Sequence, residues 1–216
     1  MSFSDWIFET TSPNDLFVAL DTNSIVGNTS LRLFSDIAGV NLALTGYLIS
    51  SPFLNGIDHG IIYTLMRIQV NLNSVFYGGI FCMADDFSPP NTGALYVLQV
   101  AKGTSNNVQI RKATAGGIVA SSTGTQIGSS GSVNFQNNDD TVCIALEWDS
   151  TGSLGTELTG YVGTQTDFSD LAQFTTAIDM SSPLTTTVIE GIFFHQDSVS
   201  GGASEILYDS TKIINL

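Results

Sequence analysis

Two histidines, His59 in "NGIDHGII" and His195 in "GIFFHQDS", are the imidazoles of this chain, and each has carboxylates close by in sequence. Nucleophilic catalysis needs a serine or thiol held beside such a base. No G-x-S-x-G elbow accompanies either histidine, and a Ser-rich chain supplies Ser/His/Asp groupings by chance, so no triad is assigned. Metal binding is the next chemistry to consider. Asp58 precedes His59, Asp85 and Asp86 are adjacent, Asp139 and Asp140 are adjacent, and Asp197 follows His195 by two. Hard oxygen ligands on loops suit Ca²⁺. None of these matches an EF-hand loop or an H-E-x-x-H helix, and paired Asp residues at a turn also bond their own backbone.

Paired carboxylates are a third option, because glycoside hydrolysis needs two acids flanking the scissile bond. The nearest set is Glu147, Asp149 and Glu157 in "LEWDSTGSLGTE". Glu147 and Asp149 fall on one face of a strand, but Ser150, Thr151 and Gly152 stand where the E-x-D-x-x-E pattern would place its third acid. A non-enzymatic protein is expected. Aromatic side chains suggest binding instead: Trp6, Tyr47, Tyr63, Tyr77, Tyr96, Trp148, Tyr161 and Tyr208 could stack on sugar rings where exposed, and otherwise pack the core. Trp148 falls on the apolar phase of its strand and is expected inside. Asp58, His59, Asp85, Asp86 and Tyr96 are the residues that could face a ligand; no cofactor is expected, Ca²⁺ being the one metal the loops could suit.

These residues sit on elements with a period of two. In "YTLMRIQVNL", Met66, Ile68, Val70 and Leu72 alternate with Arg67, Gln69 and Asn71; in "TVCIALEW", Val142, Ile144, Leu146 and Trp148 alternate with Thr141, Cys143, Ala145 and Glu147. Each pattern predicts a strand with one buried and one wet face. Further segments such as "DLFVAL", "SVFYGGIFCM", "ALYVLQVA", "NVQIRKA", "GSVNF" and "VIEGIFFH" are separated by the turn clusters "SPPNTG", "KGTSNN" and "SVSGG". Together they predict an all-β fold, a two-sheet antiparallel β-sandwich. At most one short helix is expected, over "TDFSDLAQF", where Phe168, Leu171 and Phe174 recur every three residues. The run "ASSTGTQIGSSGS" (120–132) is expected to be a long hairpin or loop within the domain. The apolar end, "KIINL", is expected either to pair near the first strand or to dock on a neighbouring subunit.

At 216 residues one domain spanning 1–216 is expected. Charged residues make up 12% of the chain, about half the usual share. A surface of Ser, Thr, Asn and Gly is easily desolvated at a contact, which favours assembly or sugar binding. Six basic residues against twenty acidic ones give a net charge of -14, which removes the basic footprint that nucleic-acid binding needs. The start, "MSFSDWIFETTSPND", has no positive n-region or apolar h-region, and no stretch approaches a bilayer span, so synthesis in a cytoplasm and no membrane contact are expected. Cys82 and Cys143 have no metal or redox spacing and are expected as buried thiols.

The last third, "GTELTGYVG" followed by "VIEGIFFHQDSVSGGASEILYDSTKIIN", resembles the closing strands of concanavalin A-like (laminin G-like) sandwiches. There a glycine-rich turn leads to a final strand with an aromatic residue, Asp and an apolar end, matched by Tyr208, Asp209, Lys212 and Ile213. The middle "GALYVLQVAKGTSNNVQIRKATAGG" resembles that superfamily's paired strands and ligand-facing hairpin. The resemblance implies a jelly-roll sandwich. It carries over no site, because neither the legume-lectin metal motif nor the glucanase acids can be matched residue by residue, and fold alone does not decide function among lectins, glucanases and virion proteins. Joined to the low charge and apolar end, it gives the expectation of a bacteriophage virion structural protein. The role expected is a capsid decoration or cement protein outside the shell, contacting the major capsid protein as a homo-oligomer, with a trimer at a three-fold position. The alternative is a carbohydrate-binding, lectin-like module of a tail or fibre, taking a glycan with or without Ca²⁺.

Overall fold

The computed structural model describes residues 6–11, 16–22, 24–27, 29–35, 42–48, 58–70, 74–84, 93–102, 106–119, 124–133, 140–184, 189–199 and 204–216. Among the described residues fourteen strands run in chain order: β1 (Trp6–Thr10), β2 (Leu16–Asp21), β3 (Ser30–Ser35), β4 (Leu42–Leu48), β5 (His59–Val70), β6 (Ser74–Ala84), β7 (Leu95–Lys102), β8 (Asn107–Ala113), β9 (Thr125–Ser132), β10 (Thr141–Asp149), β11 (Thr156–Gly163), β12 (Ala172–Asp179), β13 (Ile189–Val199) and β14 (Ser204–Asn215). They form two antiparallel seven-stranded sheets, β1-β4-β13-β6-β7-β8-β9 (sheet I) and β12-β11-β10-β5-β14-β3-β2 (sheet II). The expected β-sandwich is the fold observed.

Between the sheets lie the alternating residues of both. Ile62, Met66, Ile144, Leu146, Trp148 and Ile206 of sheet II meet Ile80, Leu98, Ile110, Ile192 and Phe194 of sheet I, all essentially without solvent contact. Tyr208 spans the gap. Its hydroxyl donates to the carbonyl of Phe193 (2.5 Å) and accepts from the amide of Gly79 (2.8 Å). Gly78 gives β14 room at this crossing: a Cβ there would stand 2.1 Å from Cδ1 of Ile206 and 3.2 Å from the Tyr208 hydroxyl.

The two outer faces differ, as their sequences do. The central sheet I strands β6 and β7 read as nearly continuous apolar runs, and the outer face is buried over them and their neighbours β4 and β13: Ala43, Phe81, Leu95, Val97 and Phe193 form a second cluster with Ile118, from the 3₁₀ turn at 117–119. Sheet II strands alternate, and their outer residues Tyr63, Arg67, Glu147 and Tyr161 keep partial contact with solvent. Sheet II is therefore the face that presents side chains.

Three expectations are corrected. The run "TDFSDLAQF" is not helical: residues 166–170 are turns and a bend and Ala172 begins β12. Asp170 accepts from the amides of Thr164 and Gln165, and Asp167 from that of Ser169, so the aspartates fix turns in place of helical bonds. The 120–132 run contains a strand, β9, whose Ser129 amide donates to the hydroxyl of Thr175 (3.0 Å) and ties the edge of sheet I to that of sheet II. The C-terminal strand does not pair with the first. β14 lies between β5 and β3, with Ile213 opposite Ile62 and Ile214 opposite Ile61, whereas β1 pairs with β4 in the other sheet.

Candidate functional site

Across sheet II the register lines up outer-face side chains in rows. One row runs Lys212 (β14), Tyr63 (β5), Ala145 (β10), Tyr161 (β11) and Gln173 (β12). The next runs Ile214, Ile61, Glu147, Thr159 and Thr176. Five strands at ~4.8 Å spacing make each row about 19 Å wide. Ala145 is fully buried, so the floor of the first row is small and apolar and half-buried tyrosines stand on either side.

The turn segment after β11 adds a third ring. Phe168 packs edge-on against Tyr63 with ring centroids 5.0 Å apart, and its backbone sits at φ +63°, where a bulky residue is uncommon. Asp170 holds the segment in place. Its carboxylate accepts from the amides of Thr164 and Gln165 and from the Thr164 hydroxyl, and these bonds hold its pKa down to about 2. Cys143 donates its thiol toward the same carboxylate at 3.7 Å; burial first, and the Asp170 charge second, push that thiol up to about 12. Lys212 places its ammonium 6.0 Å from the Tyr63 ring centroid.

Glu147 stands beside these rings with both oxygens engaged. Tyr161 donates to Oε2 (2.8 Å), and Nε2 of His59 lies 3.3 Å from Oε1. Desolvation first, and then the bond to Glu147, push the Tyr161 phenol up to about 12, so it remains a donor. His59 and Glu147 keep about a third of their side-chain surface exposed, 35% and 29%. Asp149, opposite His59 in the register, takes its hydrogen bonds from the hydroxyl and amide of Thr151, which lower its pKa. The carbonyl of Asp58 accepts from the Ser150 amide (2.7 Å), joining the start of β5 to the turn after β10. Aromatic faces beside a fixed acceptor suit sugar rings, which offer C–H faces and hydroxyl donors.

Of the residues expected to face a ligand, His59 and the exposed Asp58 lie at this end of sheet II, and Asp85 and Asp86 lie outside the described residues. Tyr96 is corrected: it is fully buried between the sheets. Its hydroxyl donates to Oδ2 of Asp179 (2.6 Å) and accepts from the Leu184 amide, while the Lys112 ammonium bonds the same Asp179 oxygen (2.6 Å) and the carbonyl of Ser181 (2.8 Å). It braces the sandwich and offers no stacking face. Among the other aromatic candidates, Trp6, Trp148 and Tyr208 are core residues. His195 is buried on the outer face of sheet I, stacked on Tyr77. Cys82 and Cys143 are free, buried thiols as expected. Among the described residues no three His, Cys, Asp or Glu side chains converge as metal ligands. Phe168 and Lys212 were missed by sequence reasoning, whereas Tyr63 carried a signal: it shares the phase of Arg67 and Gln69.

No protein-family model and no curated protein sequence matches the chain. Solved structures do. The exoplasmic/lumenal domain of VIP36, in a form bound to Ca²⁺ and Man3GlcNAc, superposes with a TM-score of 0.58 at 10% identity, covering 100% of this chain and 85% of that one. The chain has the concanavalin A-like β-sandwich fold. A legume lectin-like domain from Entamoeba histolytica shares this sandwich (TM-score 0.58, 10% identity, 99% and 91% covered), as does the PL-14 alginate lyase from Aplysia kurodai (0.57, 12%, 92% and 87%). At these identities the likeness of the concanavalin A-like sandwiches is one of fold alone.

Proposed function

We propose that this protein is a carbohydrate-binding module that lays a glycan chain across the outer face of sheet II. Tyr63, Tyr161 and Phe168 supply ring faces, Glu147 accepts sugar hydroxyls, and His59 and Gln173 add polar contacts. The observation that carries this reading is the Glu147 carboxylate held between Tyr161 and His59, beside a half-buried aromatic row on the sheet whose outer face is open. An acceptor fixed in this way binds a diol without first ordering its own side chain. The lumenal domain of VIP36, which shares the sandwich, was solved with Man3GlcNAc bound, which fits the reading. Affinity electrophoresis of the protein in gels containing soluble polysaccharides tests it: retardation in at least one polymer is expected, and free migration in all of them overturns it.

A second reading, the virion decoration protein, draws on a different feature. Leu154 (68% exposed), Ile178 (38%) and Met180 (72%) are apolar side chains in the turn before β11 and at the end of β12, the kind of surface a neighbouring subunit covers. Homo-oligomerisation in light scattering, lost on Leu154→Ser with Met180→Ser, is its expected signature; a monomer counts against it.

A further inference from the structure

Resting on the glycan-binding reading, we propose that the sheet II face selects uncharged polysaccharides and excludes uronate chains. Negative charge dominates the surroundings of the aromatic row. Glu147 stands in the adjoining row. Asp149 and the exposed Glu157 face each other across β10 and β11 one row further on. Asp167 and Asp170 rim the row on the turn segment that carries Phe168. Among the described residues, these five carboxylates stand against the Lys212 ammonium over Tyr63 and the His59 imidazole, which already faces Glu147.

Arginine is the donor best matched to a uronate carboxylate, because its planar fork bonds both oxygens at once. Arg67 is on the same face, but four residues along β5 from Tyr63, about 13 Å away. Its Nε donates to the Thr141 hydroxyl (3.4 Å), and the fully buried Leu65 and Cys143 separate it from the tyrosines. Glu147 supplies the opposite chemistry. Each of its oxygens is engaged once and keeps acceptor capacity, which suits adjacent sugar hydroxyls and repels a carboxylate. Asp149 and Glu157 extend that repulsion to the neighbouring sugar of a chain. The fold neighbours do not decide the question, since alginate is the polymer named for one of them and a neutral mannose glycan is bound to another.

The test is affinity electrophoresis of the full chain in mixed-linkage β-glucan and galactomannan, both neutral, and in alginate and polyglucuronate. It is run at ~0.02 M and ~0.3 M salt, on either side of the screening range for exposed charges. Retardation by a neutral polymer that changes little with salt is expected, with uronan binding at least about tenfold weaker. Uronan binding as tight as neutral binding overturns this inference and leaves the glycan-binding reading standing; no binding to any polymer removes that reading itself. The variant Asp149→Asn with Glu157→Gln is expected to keep neutral binding and to raise uronan binding severalfold. Uronan rejection unchanged in this variant overturns charge as its cause.

Discussion

The hydroxyl of Tyr161 donates to Oε2 of Glu147 at 2.8 Å, so an aromatic ring and a carboxylate on neighbouring strands are locked into one arrangement. The register supports this bond. Ala145 opposes Tyr161 and Glu147 opposes Thr159, so the phenol reaches diagonally across the pair to the acid. On the proposed reading, ring and acceptor would meet a sugar as a single rigid unit.

Tyr161→Phe keeps the ring and releases Glu147, whereas Tyr161→Ala removes both. Glycan affinity is expected to fall about threefold to tenfold in the first and further in the second, following the ~1 kcal/mol scale of one hydrogen bond. Isothermal titration calorimetry with a retained neutral polymer measures both. Equal affinities for the two variants would show that the ring contributes nothing.

Glu190 gives a pH prediction. It is 2% exposed, neither carboxyl oxygen has a hydrogen-bond partner on another described residue, and burial pushes its pKa from 4.5 up to about 8. The folded state therefore holds a proton that the unfolded chain releases near pH 4.5, and stability falls as pH rises from about 4.5 to about 8. The slope from this group is at most ~1.4 kcal/mol per pH unit. Glu190→Gln should flatten that part of the profile in urea unfolding and be the more stable protein at pH 8; a wild-type slope in the variant would contradict this.

The knot of Lys112, Asp179 and Tyr96 is buried at the end of the sandwich. Desolvation opposes the Asp179 charge, but bonds from Lys112, Tyr96 and the Ser181 amide outweigh it and lower its pKa. Its contribution is present above the unfolded pKa near 3.8 and is lost as pH falls below it. Asp179→Ala strands the Lys112 ammonium and should cost about 3–5 kcal/mol. Lys112→Met leaves Asp179 with two donors and should cost less. The reverse order in chemical denaturation would show that Lys112 is held by the Ser181 and Ser182 carbonyls alone.

Tyr208→Phe removes the strut between the sheets and leaves the Gly79 amide and Phe193 carbonyl short of their partner. A loss of about 1–3 kcal/mol is expected, read as a lower melting temperature with glycan binding intact. A melting temperature equal to that of the wild type would mean that the backbone groups find other partners.

How far the sequence foretold these features depends on the contrast between the two phases of each strand. In "TVCIALEWD" and "YTLMRIQV" one phase is apolar and the other mixed, and the inward set is the one expected from alternation. In "ALYVLQVA" both phases are apolar, so nothing distinguished Tyr96, which points inward, from Leu95 and Val97, which point outward into a second buried cluster. The three-residue spacing of Phe168, Leu171 and Phe174 imitated a helix because two of these rings serve opposite sides of the sheet. Phe168 covers Tyr63 outside, while Phe174 fills the space left by Gly131 and Gly160 inside. β9 was hidden because its Ser and Gly residues carry almost no apolar signal and its place is fixed by Val108, Ile110 and Thr175 of its neighbours. The site was only partly legible for a related reason: Tyr63, Glu147 and Tyr161 converge through a register between three strands, and Phe168 reaches them on a turn.

The central claim is that the aromatic row of sheet II holds a glycan. The most direct measurement is calorimetric titration of wild-type protein and the Tyr63→Ala, Tyr161→Ala double variant with a neutral polysaccharide that retards the wild type, with thermal unfolding confirming that both are folded. Saturable binding by the wild type and a loss of at least about tenfold in the variant is the predicted result. A folded double variant that binds as tightly as the wild type would contradict it.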